Sequence, residues 1–208
     1  MYIDLTHVID ENMPVYPGTE KPVLDRTYNI RDYGFSETIL KMFSHTGTHI
    51  DSPSHMIENA KMLETYEVGY FIGSAYILDI SKAIPSVSEL ENIKSEFSDV
   101  NYIILKTNWS DKWGSKEYYE DFPVLSLEIT EYLLSFGIRG FGIDAISVDP
   151  VGSEAFENHM KIFEKECIII ENLTNLDQIK TKKFEIMAMP LKLKKSDGIS
   201  ARVVAKEL

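Results

Sequence analysis

A single cysteine, Cys167, stands among 208 residues, which excludes an internal disulfide and any zinc site built on several thiolates. Positive charge is also scarce: 21 Lys and Arg face 33 Asp and Glu, a formal net charge of −12. Nucleic acid is a poor partner for such a chain, because phosphate contacts need a cationic surface. Small neutral substrates or cations suit it better. No apolar run approaches the ~20 residues of a membrane span; the longest, such as Cys167 to Ile170, are strand-sized. Met1-Tyr2-Ile3-Asp4-Leu5 lacks the basic-then-apolar order of a signal peptide, so a cytoplasmic location is expected. Internal repeats and low-complexity linkers are missing as well. One domain over residues 1–208 is therefore expected, long enough to bury a real core.

The remaining pattern is mixed. The start alternates and breaks at Pro14, Pro17 and Gly18, a short strand running into a tight turn. Glu37 to Phe43 reads as a strand, followed by a punctuated loop from Ser44 to Ser54. Ser74 to Ile80 and Tyr102 to Leu105 read as buried strands. Val87 to Phe97 has apolar residues at helical spacing. Ser126 is placed to cap a helix ending near Phe136, with Gly137 as its stop. Phe141 to Ile143 and Cys167 to Ile170 are short strands around a helix at about 154–165. Phe184 to Leu193 and Arg202 to Ala205 close the chain as β-rich segments. An α/β fold is expected, a mixed β-sheet core with flanking helices.

Five histidines are present, and three fall in His45-Thr-Gly-Thr-His49-Ile-Asp51-Ser-Pro-Ser-His55. Imidazole and carboxylate together suit zinc, manganese or iron. A helix would bring His45 and His49 to one face, but Thr46, Gly47, Thr48 and Ile50 are poor helix formers and Pro53 would break it. Thr46 also stands where zincins carry their glutamate. In an extended run the four positions 45, 49, 51 and 55 share one face. A straight strand would still separate His45 and His49 by roughly 13 Å, so the chain must bend between them. Gly47 is the residue able to do it. Pro53 then stiffens the exit and holds His55 nearby without forcing it among the ligands. The alternative is a polar loop with hydrogen-bonded surface histidines.

This run resembles the H-x-G-T-H-x-D-x-P-x-H signature of the cyclase family of metal-dependent hydrolases, which includes bacterial kynurenine formamidases and isatin hydrolases. Asp4-Leu5-Thr6, Tyr16-Pro17-Gly18, Gly142-Ile143-Asp144 and Glu171-Asn172-Leu173-Thr174-Asn175-Leu176 extend the similarity over nearly the whole chain. The resemblance implies metal ligands at His45, His49, Asp51, His159 and Glu171, with Asp51 able to bridge two ions and His55 as the catalytic proton-transfer residue. It implies two zinc ions, with manganese as the alternative, and a homodimer or larger assembly. The implied reaction is hydrolysis of an amide C–N bond, with N-formyl-L-kynurenine as substrate. Another aryl or cyclic amide or a lactone, such as isatin, is a second reading; a non-catalytic metal-binding protein is a third.

From the residues alone, two of these positions stay open. Glu171 ends an isoleucine strand, where a buried carboxylate needs compensation, yet a surface glutamate fits equally. His159, beside Phe156, Met160 and Phe163, reads alone as a core histidine. Cys167 is expected to be packed and inert, and His7 structural or exposed. The aromatic residues Trp109, Trp113, Tyr118, Tyr119 and Phe122 either line a pocket or pack over the core or a subunit interface. Gly140 and Gly142 look like part of a close-packed strand. Thr19 and Ala201 depart from the family's usual aspartate and proline, which loosens the assignment of substrate.

Overall fold

A computed structural model describes residues 1–207. Ten strands form two sheets: β1 (Tyr2–Asp4), β2 (Val23–Tyr28), β3 (Glu37–Lys41), β4 (His49–Asp51), β5 (Ile72–Asp79), β6 (Tyr102–Lys106), β7 (Gly140–Ile143), β8 (Ile168–Glu171), β9 (Lys183–Pro190) and β10 (Gly198–Lys206). Four α-helices accompany them: α1 (Ile30–Tyr33), α2 (Val87–Glu91), α3 (Leu127–Leu134) and α4 (Glu157–Phe163). The large sheet has the order β1-β10-β4-β8-β7-β6-β5-β9, and β9 also pairs with β10. The sheet thus closes on itself. Strands β5 to β8 run parallel, joined by the connections that carry α2, α3 and α4, while β4, β9 and β10 pair antiparallel.

Alternation along the strands divides the apolar residues into two layers. Ile50, Tyr102, Ile104, Ile168, Ile170, Phe184 and Val203 fill the enclosed side of the sheet. Ile103, Leu105, Phe141, Ile143 and Ile169 face outward and pack with residues of the helical layer, such as Leu90, Leu133 and Ile162. The enclosed side is narrow at β7. A Cβ on Gly142 would lie 2.7 Å from Ile104 Cδ1, and one on Gly140 only 2.3 Å from the Ile168 carbonyl oxygen. These two glycines belong to a close-packed strand, as their spacing suggested.

Several boundaries differ from the sequence reading. The helix expected over Val87–Phe97 stops at Glu91 and continues as a separate 3₁₀ turn, Lys94–Phe97. Asn92, Ser95 and Ser98 are weak helix formers, and only Leu90 and Phe97 are fully buried here, with Val87 and Ile93 partly buried against the core. The loop from Ser44 to Ser54 contains β4, whose backbone is paired on both edges by β8 and β10. The second sheet, β2 with β3, is a hairpin arm with few buried positions, enclosing α1. Among the described residues no helix is long and apolar enough to cross a membrane.

Candidate active site

Strand parity sets the site. Ile50 points into the enclosed core, so His49 and Asp51 point outward from the same strand. On β8, Ile170 points in and Glu171 out. Register pairs His49 directly with Glu171, and cross-strand neighbours have Cβ atoms about 4.5–5.5 Å apart. His45 reaches the same place because Gly47 turns the chain, with φ +66°. That is the bend expected from the sequence. α4 contributes His159 through its first turn, whose Asn158 and His159 N–H groups both donate to the Asp149 carboxylate at 3.0 Å.

The functional atoms converge at the base of a cavity of about 420 Å³. Asp51 Oδ1 lies 2.5 Å from His45 Nδ1 and 3.1 Å from His49 Nε2. The two oxygens of Glu171 divide between histidines: Oε2 is 3.6 Å from His49 Nε2 and Oε1 is 3.3 Å from His159 Nε2. Three donor groups have mutually adjacent atoms: His45–His49–Asp51 and Asp51–His159–Glu171, with Asp51 common to these two, and the more open His45–His55–Asp197. All five expected ligand residues are therefore gathered. His55 stands beside them, its ring 3.9 Å from that of His45 and its Nδ1 3.9 Å from Asp197 Oδ2.

The remaining ring nitrogens show what this set can hold. His49 Nδ1 lies 2.7 Å from the Gly47 carbonyl oxygen, and His159 Nδ1 2.7 Å from Asp149 Oδ2. A carbonyl or carboxylate oxygen accepts only, so each Nδ1 carries the hydrogen and each neutral imidazole turns its Nε2 lone pair toward carboxylate oxygens. Lone pairs facing one another in a buried site require a cation between them. Without a metal, that cation is a proton. Burial opposes protonation of His45, but Asp51 and Asp197 outweigh it and raise its pKa to about 10. Burial likewise opposes His159, which Asp149 and Glu171 raise to about 10. His49 is raised too, with Asp51 overcoming burial. Asp51 is held well below the carboxylate range, as His49 and His45 outweigh its own burial. The donor set fits a divalent cation: imidazole and carboxylate ligands, with outer oxygens fixing the ring orientations.

His55 is different. Burial, together with the neighbouring His45 and His159, outweighs Asp51 and Asp197 and lowers its pKa to about 4. It is a neutral imidazole near pH 7, partly open to the cavity.

Three participants were not singled out from the sequence. Asp149 orients His159. Asp197 accepts from His45 Nε2 at 3.0 Å. Asn172 lines the cavity next to Glu171. A carboxylate one loop away from a histidine carries no local sequence signal, because the contact is made across the fold. Of the two readings of the aromatic loop, packing over the core is the one the structure shows. Tyr118 and Phe122 are core residues, with Trp109, Trp113 and Tyr119 packed against them. The aromatic walls of the cavity come instead from Tyr16, Phe43 and Phe156. Thr19 also lines it. Cys167 is buried, and burial pushes its thiol up to about 12, consistent with an inert packed group. His7 is part-buried and stacked on Trp113 at 3.8 Å.

Comparison with known proteins agrees with this geometry. The chain is 29% identical over 208 residues to a kynurenine formamidase of Bacillus cereus, covering all of this chain and 98% of that one. A solved structure described as a potential metal-dependent hydrolase with cyclase activity superposes with a TM-score of 0.82 at 28% identity, covering 100% and 98% of the two chains. Isatin hydrolase A from Ralstonia solanacearum shares the fold, with a TM-score of 0.88 at 21% identity over 100% and 92%. Residues 3–150 match the family described as putative cyclase, and the chain belongs to that cyclase family.

Proposed function

We propose that this chain is a metal-dependent arylformamidase, hydrolysing the amide C–N bond of N-formyl-L-kynurenine to release L-kynurenine and formate. His45, His49, Asp51, His159 and Glu171 hold the metal, and His55 transfers the proton. The observation that carries the reading is the pair of outward-locked imidazoles, His49 and His159, whose free Nε2 atoms face Asp51 and Glu171. Zinc is the proposed ion, two per chain, since Asp51 is shared by the two buried donor groups, His45–His49–Asp51 and Asp51–His159–Glu171; manganese is the alternative. The 29% identity to a kynurenine formamidase along the whole chain supports the substrate.

A bound divalent ion supplies a more acidic water and polarises the amide carbonyl. The chain's residues do the rest. Tyr16, Phe43 and Phe156 offer an aromatic-lined space for an aryl ring at the mouth of the site. His55, neutral at pH 7, accepts the proton of the attacking water and returns it to the departing nitrogen. Asp149 and the Gly47 carbonyl keep His159 and His49 in one tautomer, so no ligand must turn during the cycle.

We further propose one domain over 1–208, a cytoplasmic location and a homodimer. The arm supports the dimer: Phe35, Ile39 and Leu40 are each more than half exposed, and a free two-stranded hairpin is marginal in water. Measuring kcat/KM on N-formyl-L-kynurenine, simpler aryl formamides and isatin tests the substrate assignment. Preference for the aryl formamides is expected. Preference for isatin would transfer the same machinery to a cyclic amide.

A further inference from the structure

Asn172 is 5% exposed and follows Glu171 directly, with a left-handed backbone (φ +56°), and its side-chain Nδ2 lies 3.5 Å from His49 Nδ1. Both ends of its amide are used. Nδ2 donates to the Gly47 carbonyl at 3.0 Å, the same oxygen that accepts from His49 Nδ1 at 2.7 Å. Oδ1 accepts from the Tyr118 hydroxyl at 2.7 Å. The amide cannot be reversed, because its oxygen would then face the Gly47 oxygen. Tyr118 must therefore donate, and it is fully buried with no alternative from solvent. Asn172 is also tied down by its backbone: its N–H donates to the Ala145 carbonyl, and its own carbonyl accepts from Thr48 Oγ1 at 2.5 Å.

The chain of contacts is Tyr118 hydroxyl, Asn172 amide, Gly47 carbonyl, His49 Nδ1. Each link fixes the next. Gly47 is the bend residue of the histidine run, with a backbone conformation that leaves its peptide orientation to its hydrogen bonds. A Gly47 carbonyl turned away would release His49 Nδ1, and the ring would lose both its tautomer and its aim at Asp51 and Glu171.

We propose that Tyr118 and Asn172 are positioning residues for the metal site, holding His49 in its ligating tautomer from outside the ligand shell through the Gly47 carbonyl. This rests on His49 being a metal ligand. The pair also explains why an aromatic loop that stays outside the cavity belongs to the site: Tyr118 packs edge-on against Trp113, which stacks on His7, whose backbone N–H donates to Thr48 Oγ1. The loop is a brace behind the histidine run.

Zinc affinity of the metal-stripped full-length chain, measured by competition with a chromophoric chelator, tests it. His49→Ala defines which zinc depends on that ligand. Tyr118→Phe keeps the ring and removes only the hydroxyl; acting through Asn172 and Gly47, it should weaken that zinc severalfold, up to the about 10- to 100-fold that follows loss of a direct outer contact to a ligand. Asn172→Gly, which tolerates the left-handed backbone, should weaken it at least as much. Adding Tyr118→Phe to Asn172→Gly should change nothing further, since both cut one relay. Unchanged zinc affinity in Tyr118→Phe, whatever happens to the melting temperature of the metal-free protein, would overturn the proposal. So would an equal loss in both backgrounds, which would make Tyr118 act by another route. Wild-type zinc binding in His49→Ala would instead remove the ligand assignment on which the relay depends.

Discussion

At the scale of single residues, the surroundings of the proposed ligands differ from those of the proposed proton carrier. His49 is enclosed, with one nitrogen locked by a carbonyl and the other facing two carboxylates. His55 is partly open and has no such lock. His49→Ala should lose metal and turnover together. His55→Ala should keep near-normal metal content while turnover falls by about 10²–10⁴; metal analysis beside kcat in both variants checks this, and metal loss in His55→Ala would make it a ligand with His45 and Asp197. The histidine pKa values add a pH dependence. In the metal-free protein His45 and His159 are raised to about 10, above an unfolded value of about 6.5. Their contribution to stability is full below about 6.5 and is lost as pH climbs toward about 10. His55, lowered to about 4, works oppositely: the folded state is disfavoured as pH falls from about 6.5 toward 4. Melting temperatures of chelator-treated protein should therefore peak near pH 6–7 and fall on both sides. Zinc added at pH 7.5 should expel protons, read as heats that vary with buffer ionisation enthalpy. Much of this was legible beforehand: the 45–55 run displays its ligands and its bend at Gly47 in eleven consecutive residues. Asp149 and Asp197 were not, because each acts on a histidine from a different element; Asn172 was visible only as part of the segment that follows Glu171.

The elements explain why the ligands meet. A three-residue strand, β4, is held between β8 and β10, and its polar, glycine- and proline-flanked sequence disguised it as a loop. Its pairing is long-range, so no local propensity announces it. The same limit hid the arm strand β2, whose residues bury too little to show a period. By contrast, α3 was readable from its capping serine and its glycine stop, since both signals are local: Ser126 Oγ accepts from the Ile129 N–H, and Gly137 has φ +70°. The antiparallel neighbour on the other edge of β4 has its own constraint. At Gly198 a Cβ would come within 2.5 Å of His45 Cε1 and 2.7 Å of the Ile50 carbonyl oxygen. Gly198→Ala should push the His45 ring from its place between Asp51 and Asp197, destabilising the fold by about 1–3 kcal/mol and weakening metal binding. Denaturant titration and chelator competition on the same variant measure the two effects.

For the whole molecule, the pairing of β4 with β8 and β10 gathers residues 45–51, 171 and 197, and α4 adds 159, although they span most of the sequence. The sequence showed alternating helices and strands in the middle and β-rich ends, but not that the ends meet. Among the described residues, the β2–β3 arm forms a sheet of its own, apart from the large one. Its exposed Ile39 and Leu40 predict a sedimentation coefficient of a dimer, and replacing both with aspartate should give a monomer. Thr19 and Phe43, at the two ends of the arm region, line the cavity, so aryl formamide KM should rise on dissociation. Beneath both stands the proposed dependence of the reaction on metal held by His45, His49, Asp51, His159 and Glu171. Removing metal with a chelator, dialysing the chelator away and titrating zinc back while following N-formyl-L-kynurenine hydrolysis measures it directly. Activity should vanish on stripping and return in full at one to two equivalents of zinc per chain; full turnover by metal-free protein in the presence of chelator would contradict it.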